Sequence, residues 1–119
     1  MSSPTSRTVQ ELKRTGWTAQ IVEKWIPQAK RRVDLFGVGD VLAIREGQAP
    51  LMVQTTTGDH VAARILKAKA EPRLVLWLRC GCSFEVWGWR KGGPMGSRKL
   101  WTLTVRHLVL GEGGEIISD

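Results

Sequence analysis

The sequence predicts an α/β fold in which helices flank a mixed central sheet. Three observations carry this expectation. Several apolar runs have the length of strands and are bounded by Gly, Pro and polar turns. An Ala-rich amphipathic segment follows the third of them. At 119 residues the chain fits one domain, 1–119, with a core of useful size and with residues 1–5 and 111–119 expected as flexible tails.

The elements follow in order. Residues 6–16 read as a helix: Thr5 or Ser6 caps it, Val9 and Leu12 are i,i+3 neighbours, and Gly16 stops it. Residues 17–26 alternate as one strand, ended by Pro27, with Ala19, Ile21, Glu23 and Trp25 on one face. Residues 27–37 form a basic loop. The runs at 41–44 and 51–56, joined by a short turn, predict an antiparallel hairpin. Residues 58–70 form the second helix, with Asp59 in its first turn and Val61, Ile65 and Leu66 marking its apolar side. Residues 71–81 fit a buried strand or a short helix. Pro72 at a first helical position and Gly81 at a stop favour the helix. Strands at 83–90 and 99–110 complete the order, separated by a Gly-rich turn.

Eighteen Lys and Arg against eleven Asp and Glu give a net charge of +7. Such a balance favours polyanionic partners, nucleic acid first, although solubility alone also explains it. No run reaches the roughly 18 apolar residues that span a bilayer, and the first ten residues lack a signal-peptide core. A soluble, cytoplasmic protein is expected, in the host cell if viral. Cys80 and Cys82 are too close for an easy bridge and lack partners for a zinc site, so both are read as reduced, partly buried thiols.

Two strand ends carry polar groups. Asp40 precedes one apolar run, and Gln54 and Thr56 close the next. An antiparallel hairpin sets these ends side by side, with Gln54 and Thr56 on one face. Converging oxygen ligands in a basic protein suggest a hard cation such as Mg²⁺. The plainer alternative is an Asx turn at Asp40, with strand ends reaching solvent.

The ordered series Gly16-Trp17, Val22-Glu23-Lys24-Trp25, Asp34-Leu35-Phe36-Gly37, Asp40, Val53-Gln54-Thr55-Thr56, Arg64, Lys67 and Trp87-Gly88-Trp89-Arg90-Lys91 resembles the PD-(D/E)XK nuclease superfamily, closest to phage-type Holliday-junction-resolvase-like proteins. The resemblance covers roughly residues 8–106. It implies a restriction-endonuclease-like αβββαβ core, Mg²⁺ or Mn²⁺ as cofactor, hydrolysis of DNA phosphodiester bonds, and a homodimer. It places Asp40, Gln54, Thr56, Glu23 and Lys67 in catalysis, with Asp40, Gln54, Glu23 and Asp34 as metal ligands. The sequence departs from the family's acid-x-Lys pattern, which here is Gln54-x-Thr56. Glu23 or Asp34 would restore a carboxylate, and Lys67 or Arg64 a cation. Glu11 lies too close to Gly16 to be the acid that resolvases carry on the first helix. Structural alternatives stand beside each: Glu23 paired with a basic neighbour, Asp34 capping a turn before Phe36, Arg64 and Lys67 on a solvated helix face, Thr56 as a strand former.

Six tryptophans and no tyrosine are unusual for this length. Trp87, Trp89 and Glu85 share one strand face, and Gly88 leaves room on the other for a neighbouring backbone or ligand. Trp89 is either a stacking platform for a base or core. Lys30, Arg31, Arg32, Arg64, Arg90, Lys91, Arg98 and Lys99 are the expected phosphate contacts. Two alternatives to a nuclease remain: a nuclease-fold DNA-binding protein without cleavage, and an RNA-binding accessory protein.

Overall fold

The structure is a computed structural model that describes residues 3–92 and 100–119. Helix α1 spans Pro4–Arg14. It starts earlier than expected because Ser3 is the cap: its hydroxyl accepts the Ser6 N–H, and Pro4 takes the first helical position, where its missing N–H costs nothing. Residues 3–5 are therefore built into the fold rather than frayed. The helix ends before Gly16, whose φ of +93° needs a residue without a Cβ.

The stretch expected as one strand divides. β1 is Thr18–Ile21 and β2 is Lys24–Ile26. Between them the N–H groups of Val22 and Glu23 both donate to the Asp40 carbonyl, at 2.8 and 3.3 Å, which pulls the chain off its neighbour's edge. The expected basic loop contains β3, Arg31–Val33, paired antiparallel with β2 through the turn at 27–30. β4 (Val41–Ile44) and β5 (Leu51–Thr57) form the expected hairpin, with Val41 opposite Val53.

A 3-10 turn at Gly58–His60 leads into α2, Val61–Lys69. Val61 and Ala68 are buried and Ile65 packs on the core, but Leu66 points outward at 70% exposure. The ambiguous segment is a helix, α3, Pro72–Arg79. Pro72 opens it, the Glu71 carboxylate caps the Arg73 N–H at 3.0 Å, and Gly81 at φ +85° follows its end. Cys80 is exposed and Cys82 half-buried, both free, so only the second fits the expected partly buried thiol.

β6 (Ser83–Lys91) runs parallel to β5, and β7 (Trp101–Leu110) returns antiparallel to it. Most of the Gly-rich turn between them, with Arg98 and Lys99, lies outside the described residues. The C-terminal segment, expected as a tail, ends in strand β8, Ile116–Ser118. It pairs with β7 and buries Ile116, which gives an apolar reason for its order.

The result is a six-stranded mixed sheet in the order β1-β4-β5-β6-β7-β8, with β2 and β3 as a separate ribbon. On one face Leu12 of α1 packs with Val41, Ala43, Leu51, Val53, Trp87 and Trp89. On the other, α2 and α3 cover Met52, Phe84, Val86 and Leu108. Gly88 marks the closest approach: a Cβ there would overlap Val61 Cγ2 and lie 3.2 Å from Gly58 Cα, so the backbone entering α2 takes that space. No helix among the described residues is long and apolar enough to cross a membrane.

Candidate metal centre

Three chain reversals bring the polar groups together. The β4–β5 register continues one step past Val41–Val53, so Asp40 lies opposite Gln54. The Gln54 Nε2 amide donates to Asp40 Oδ2 at 2.8 Å. The second reversal is the segment 34–40. Leu35 and Gly39 exchange backbone hydrogen bonds of 2.8 and 2.9 Å, and Phe36 and Gly37 take positive φ between them. That tight neck sets Asp34 beside Asp40. The third is the β2–β3 ribbon: Lys24 pairs with Val33, so Glu23 falls opposite Asp34. Glu23, Asp34 and Asp40 thus each offer a carboxylate oxygen within 4.8 Å of the others.

The cluster lies in an open cleft of about 650 Å³. Asp40 is 3% exposed, and its Oδ2 accepts from Gln54 Nε2, the Thr55 N–H at 2.8 Å and the Thr55 hydroxyl at 3.2 Å. Burial pushes the Asp40 carboxyl up to about 8; the neighbouring Asp34 and Glu23 charges push the same way, while the Thr55 N–H, which favours the ionised form, opposes them. Without a cation, this environment disfavours the ionised form of Asp40.

The other two carboxylates face cations. Arg32 Nη1 lies 2.8 Å from Glu23 Oε1, and Lys67 Nζ lies 3.8 Å from Asp34 Oδ2. Pairing of Glu23 with a basic neighbour, the plain structural alternative, is thus present together with the clustering. Asp34 also turns the chain through its carbonyl, which accepts the Gly37 N–H at 3.1 Å.

Two cleft-lining residues carry a polar atom without a partner among the described residues. Gln54 Oε1 and Arg64 Nε are buried with no hydrogen bond. A buried acceptor without a donor costs free energy unless something else satisfies it. A set of three carboxylates matches the oxygen donors that hard divalent cations prefer. The acidic cluster is therefore a place that could hold a metal ion.

The remaining site residues divide. Thr56 is buried and lines the cleft with Gln54, on the face that α2 covers. Arg64 and Lys67 line it from α2, so they are not only a solvated face. Lys30, Arg31, Arg90 and Lys91 are exposed. Arg90 flanks Gly58, next to Thr57 at the rim. Trp89 corrects an expectation: it is 8% exposed, and its indole N–H donates to the buried Thr8 hydroxyl at 2.9 Å. No base can stack on it.

Sequence reasoning missed the α1 end of the cleft. Ser3, Pro4 and Thr5 line it, and Thr5 Oγ1 lies 2.9 Å from Thr55 Oγ1 and 3.5 Å from Glu23 Oε1. The Ser-Pro pair was the available signal, being a cap followed by a first helical proline. Thr55 was also missed, because strand alternation assigns it to the face away from Gln54, whereas its N–H reaches Asp40 from the backbone. No protein-family model matches the chain, and no curated protein and no solved structure matches it.

Proposed function

We propose that the chain is a metal-dependent DNA endonuclease of the PD-(D/E)XK kind, resolvase-like in substrate, that hydrolyses phosphodiester bonds. The observation that carries the proposal is the convergence of Asp40, Glu23 and Asp34 within 4.8 Å, in a cleft also lined by Gln54, whose Oε1 has no donor among the described residues. The path α1, β1, β4, β5, α2, β6, with its antiparallel three strands and parallel fourth, supports reading the fold as a restriction-endonuclease-like αβββαβ core.

Asp40, Glu23, Asp34 and Gln54 would hold Mg²⁺ or Mn²⁺. Bound there, the ion supplies charge stabilisation at a phosphoryl oxygen and lowers the pKa of a coordinated water. The protein's part is to place charge around the phosphate. Arg64, which lines the cleft and whose Nε has no acceptor among the described residues, would offer its guanidinium to a phosphate oxygen. Lys67 reaches the cleft from the next helical turn and stands where Thr56 leaves the strand without a cation. Thr5 and Thr55 fix the carboxylates from the α1 side. Lys30, Arg31, Arg90 and Lys91 extend the positive surface along which a phosphate backbone can lie. A homodimer is proposed from the resemblance, since two symmetric cuts need two sites.

One observation favours a second function, a nuclease-fold DNA-binding protein without cleavage. Gln54 turns its amide nitrogen, not its oxygen, to Asp40, and β5 brings no lysine to the cleft. Incubation of branched and linear DNA with Mn²⁺ separates the two. Cutting that vanishes in Asp40→Ala supports the enzyme. Salt-sensitive binding with no product under any divalent metal supports the binding protein. Preference for RNA in competition would overturn both.

A further inference from the structure

We propose that Arg32 and Lys67 are exchangeable counterions: they hold Glu23 and Asp34 in the metal-free chain and turn to the nucleic-acid phosphate once a divalent cation takes those carboxylates. The proposal rests on the metal-dependent phosphodiester reading above and adds how the site loads.

The two pairs are built alike from opposite sides. The Glu23 and Asp34 side chains are 11% and 17% exposed, whereas Arg32 and Lys67 are 67% and 51% exposed. A long, solvated cation from β3 and another from α2 therefore lie over nearly buried carboxylates. The cation heads return to water when released, and the carboxylates they leave are neutralised by the incoming ion rather than left unpaired. A divalent ion on the same oxygens gains more, since it meets three carboxylates at once.

Two further atoms point to a ligand that Arg32 and Lys67 do not replace. Gln54, 3% exposed and lining the cleft, keeps Oε1 without a donor. Arg64, three residues before Lys67, keeps a buried Nε without an acceptor among the described residues. One wants a cation and the other an anion, so the cleft is incomplete on both counts.

The exchange links them. While Arg32 and Lys67 neutralise the acids, neither is free for a phosphate, and only the outer basic residues attract nucleic acid. Once a metal ion displaces them, both remain tethered at the cleft with their charge unspent. Cation and phosphate then load together, and each raises the affinity of the other by the same factor.

The test is a binding measurement on the full chain. Anisotropy of a fluorescein-labelled four-way DNA junction is titrated in EDTA and in Ca²⁺, and Mn²⁺ alone is titrated by calorimetry. Wild type is compared with Arg32→Gln/Lys67→Gln, whose exposed positions spare the fold. In wild type, Ca²⁺ is expected to tighten junction binding about tenfold or more, within the usual range of coupling between sites. In the double variant that enhancement falls below about threefold, while Mn²⁺ alone binds more tightly because no internal cation competes. Equal Ca²⁺ enhancement in both proteins, or Mn²⁺ affinity unchanged or weaker in the variant, overturns the exchange. So does a wild type that binds neither probe. Junction cutting in Mn²⁺ is scored alongside. Coupling without cutting removes the enzyme and keeps the exchange; cutting without coupling keeps the enzyme and removes the exchange.

Discussion

β5 and β6 run side by side in parallel, with Thr55 paired to Trp87, Thr56 to Gly88 and Thr57 to Trp89. Both present unusual side chains at the same height of the sheet, and both are buried there. Yet they do opposite things. The end of β5 buries Gln54, Thr55 and Thr56 around a carboxylate whose ionised form burial disfavours. The end of β6 buries two indoles, each satisfied by a single protein acceptor: Trp87 on Glu85 at 2.7 Å and Trp89 on Thr8 at 2.9 Å. The β6 groups are complete within the protein and stabilise it. The β5 groups leave an acceptor unmet and a charge suppressed, which lowers stability and is explicable if a ligand completes them.

Substitutions at the two strands should therefore divide activity from stability. The largest effect is expected at Asp40. Asp40→Ala should reduce Mn²⁺ affinity and Mn²⁺-dependent cutting by about 10²-fold or more, read by calorimetry and by gel assay of DNA products. Trp89→Ala should instead lower folding stability by about 3–5 kcal/mol in urea titrations, through the lost indole and the cavity it leaves. Trp89→Phe should fold and bind DNA with wild-type affinity, because the ring faces Thr8 and not the surface.

A pH experiment sharpens the same contrast. The Asp40 carboxyl is raised in the fold to about 8, against about 4 in an unfolded chain. The folded state thus binds the extra proton between these values. Stability from this group is fully present below pH ~4 and is lost as pH rises through about 8. Asp40→Asn keeps an acceptor for Gln54 and Thr55, removes the charge, and turns its amide towards Asp34 and Glu23. In EDTA at pH 8–9 it should be more stable than wild type by roughly 2 kcal/mol or more, with that part of the pH slope abolished. Metal affinity of wild type should rise with pH up to about 8, since the ion displaces the proton.

Smaller effects test the neighbours. Gly88→Ala should cost about 1–3 kcal/mol by pushing α2 off the sheet, measured by chemical denaturation. Thr5→Ala, losing the hydroxyl contacts to Thr55 and Glu23, should cost about 0.5–1.5 kcal/mol.

Sequence patterning reached the helices, the β4–β5 hairpin and the meeting of Asp40 with Gln54, because local signals set each of these: caps, glycine stops, alternation and a short turn. It also nominated Glu23 and Asp34, but not the geometry that unites them. That geometry comes from the break after Ile21, where two N–H groups converge on one carbonyl, and from a ribbon of three-residue strands. Neither leaves a periodic trace. The β8 strand hid behind glycines, its order coming from one buried isoleucine and pairing with β7. Trp89 was open to two readings because composition does not say which way an aromatic strand faces. The helix packed beside it, and the Thr8 hydroxyl that helix brings, decided the matter.

The central claim is that oxygens of Asp40, Glu23, Asp34 and Gln54 surround one divalent cation. Anomalous diffraction from a crystal soaked in Mn²⁺ tests it most directly. The expected result is a single strong peak in the cleft, about 2.1 Å from Asp40 and from at least two of the other three side chains, with Arg32 and Lys67 turned away from their acids. Density beside Asp40 that stays free of any peak at millimolar Mn²⁺, or a peak bound elsewhere by other residues, would contradict it.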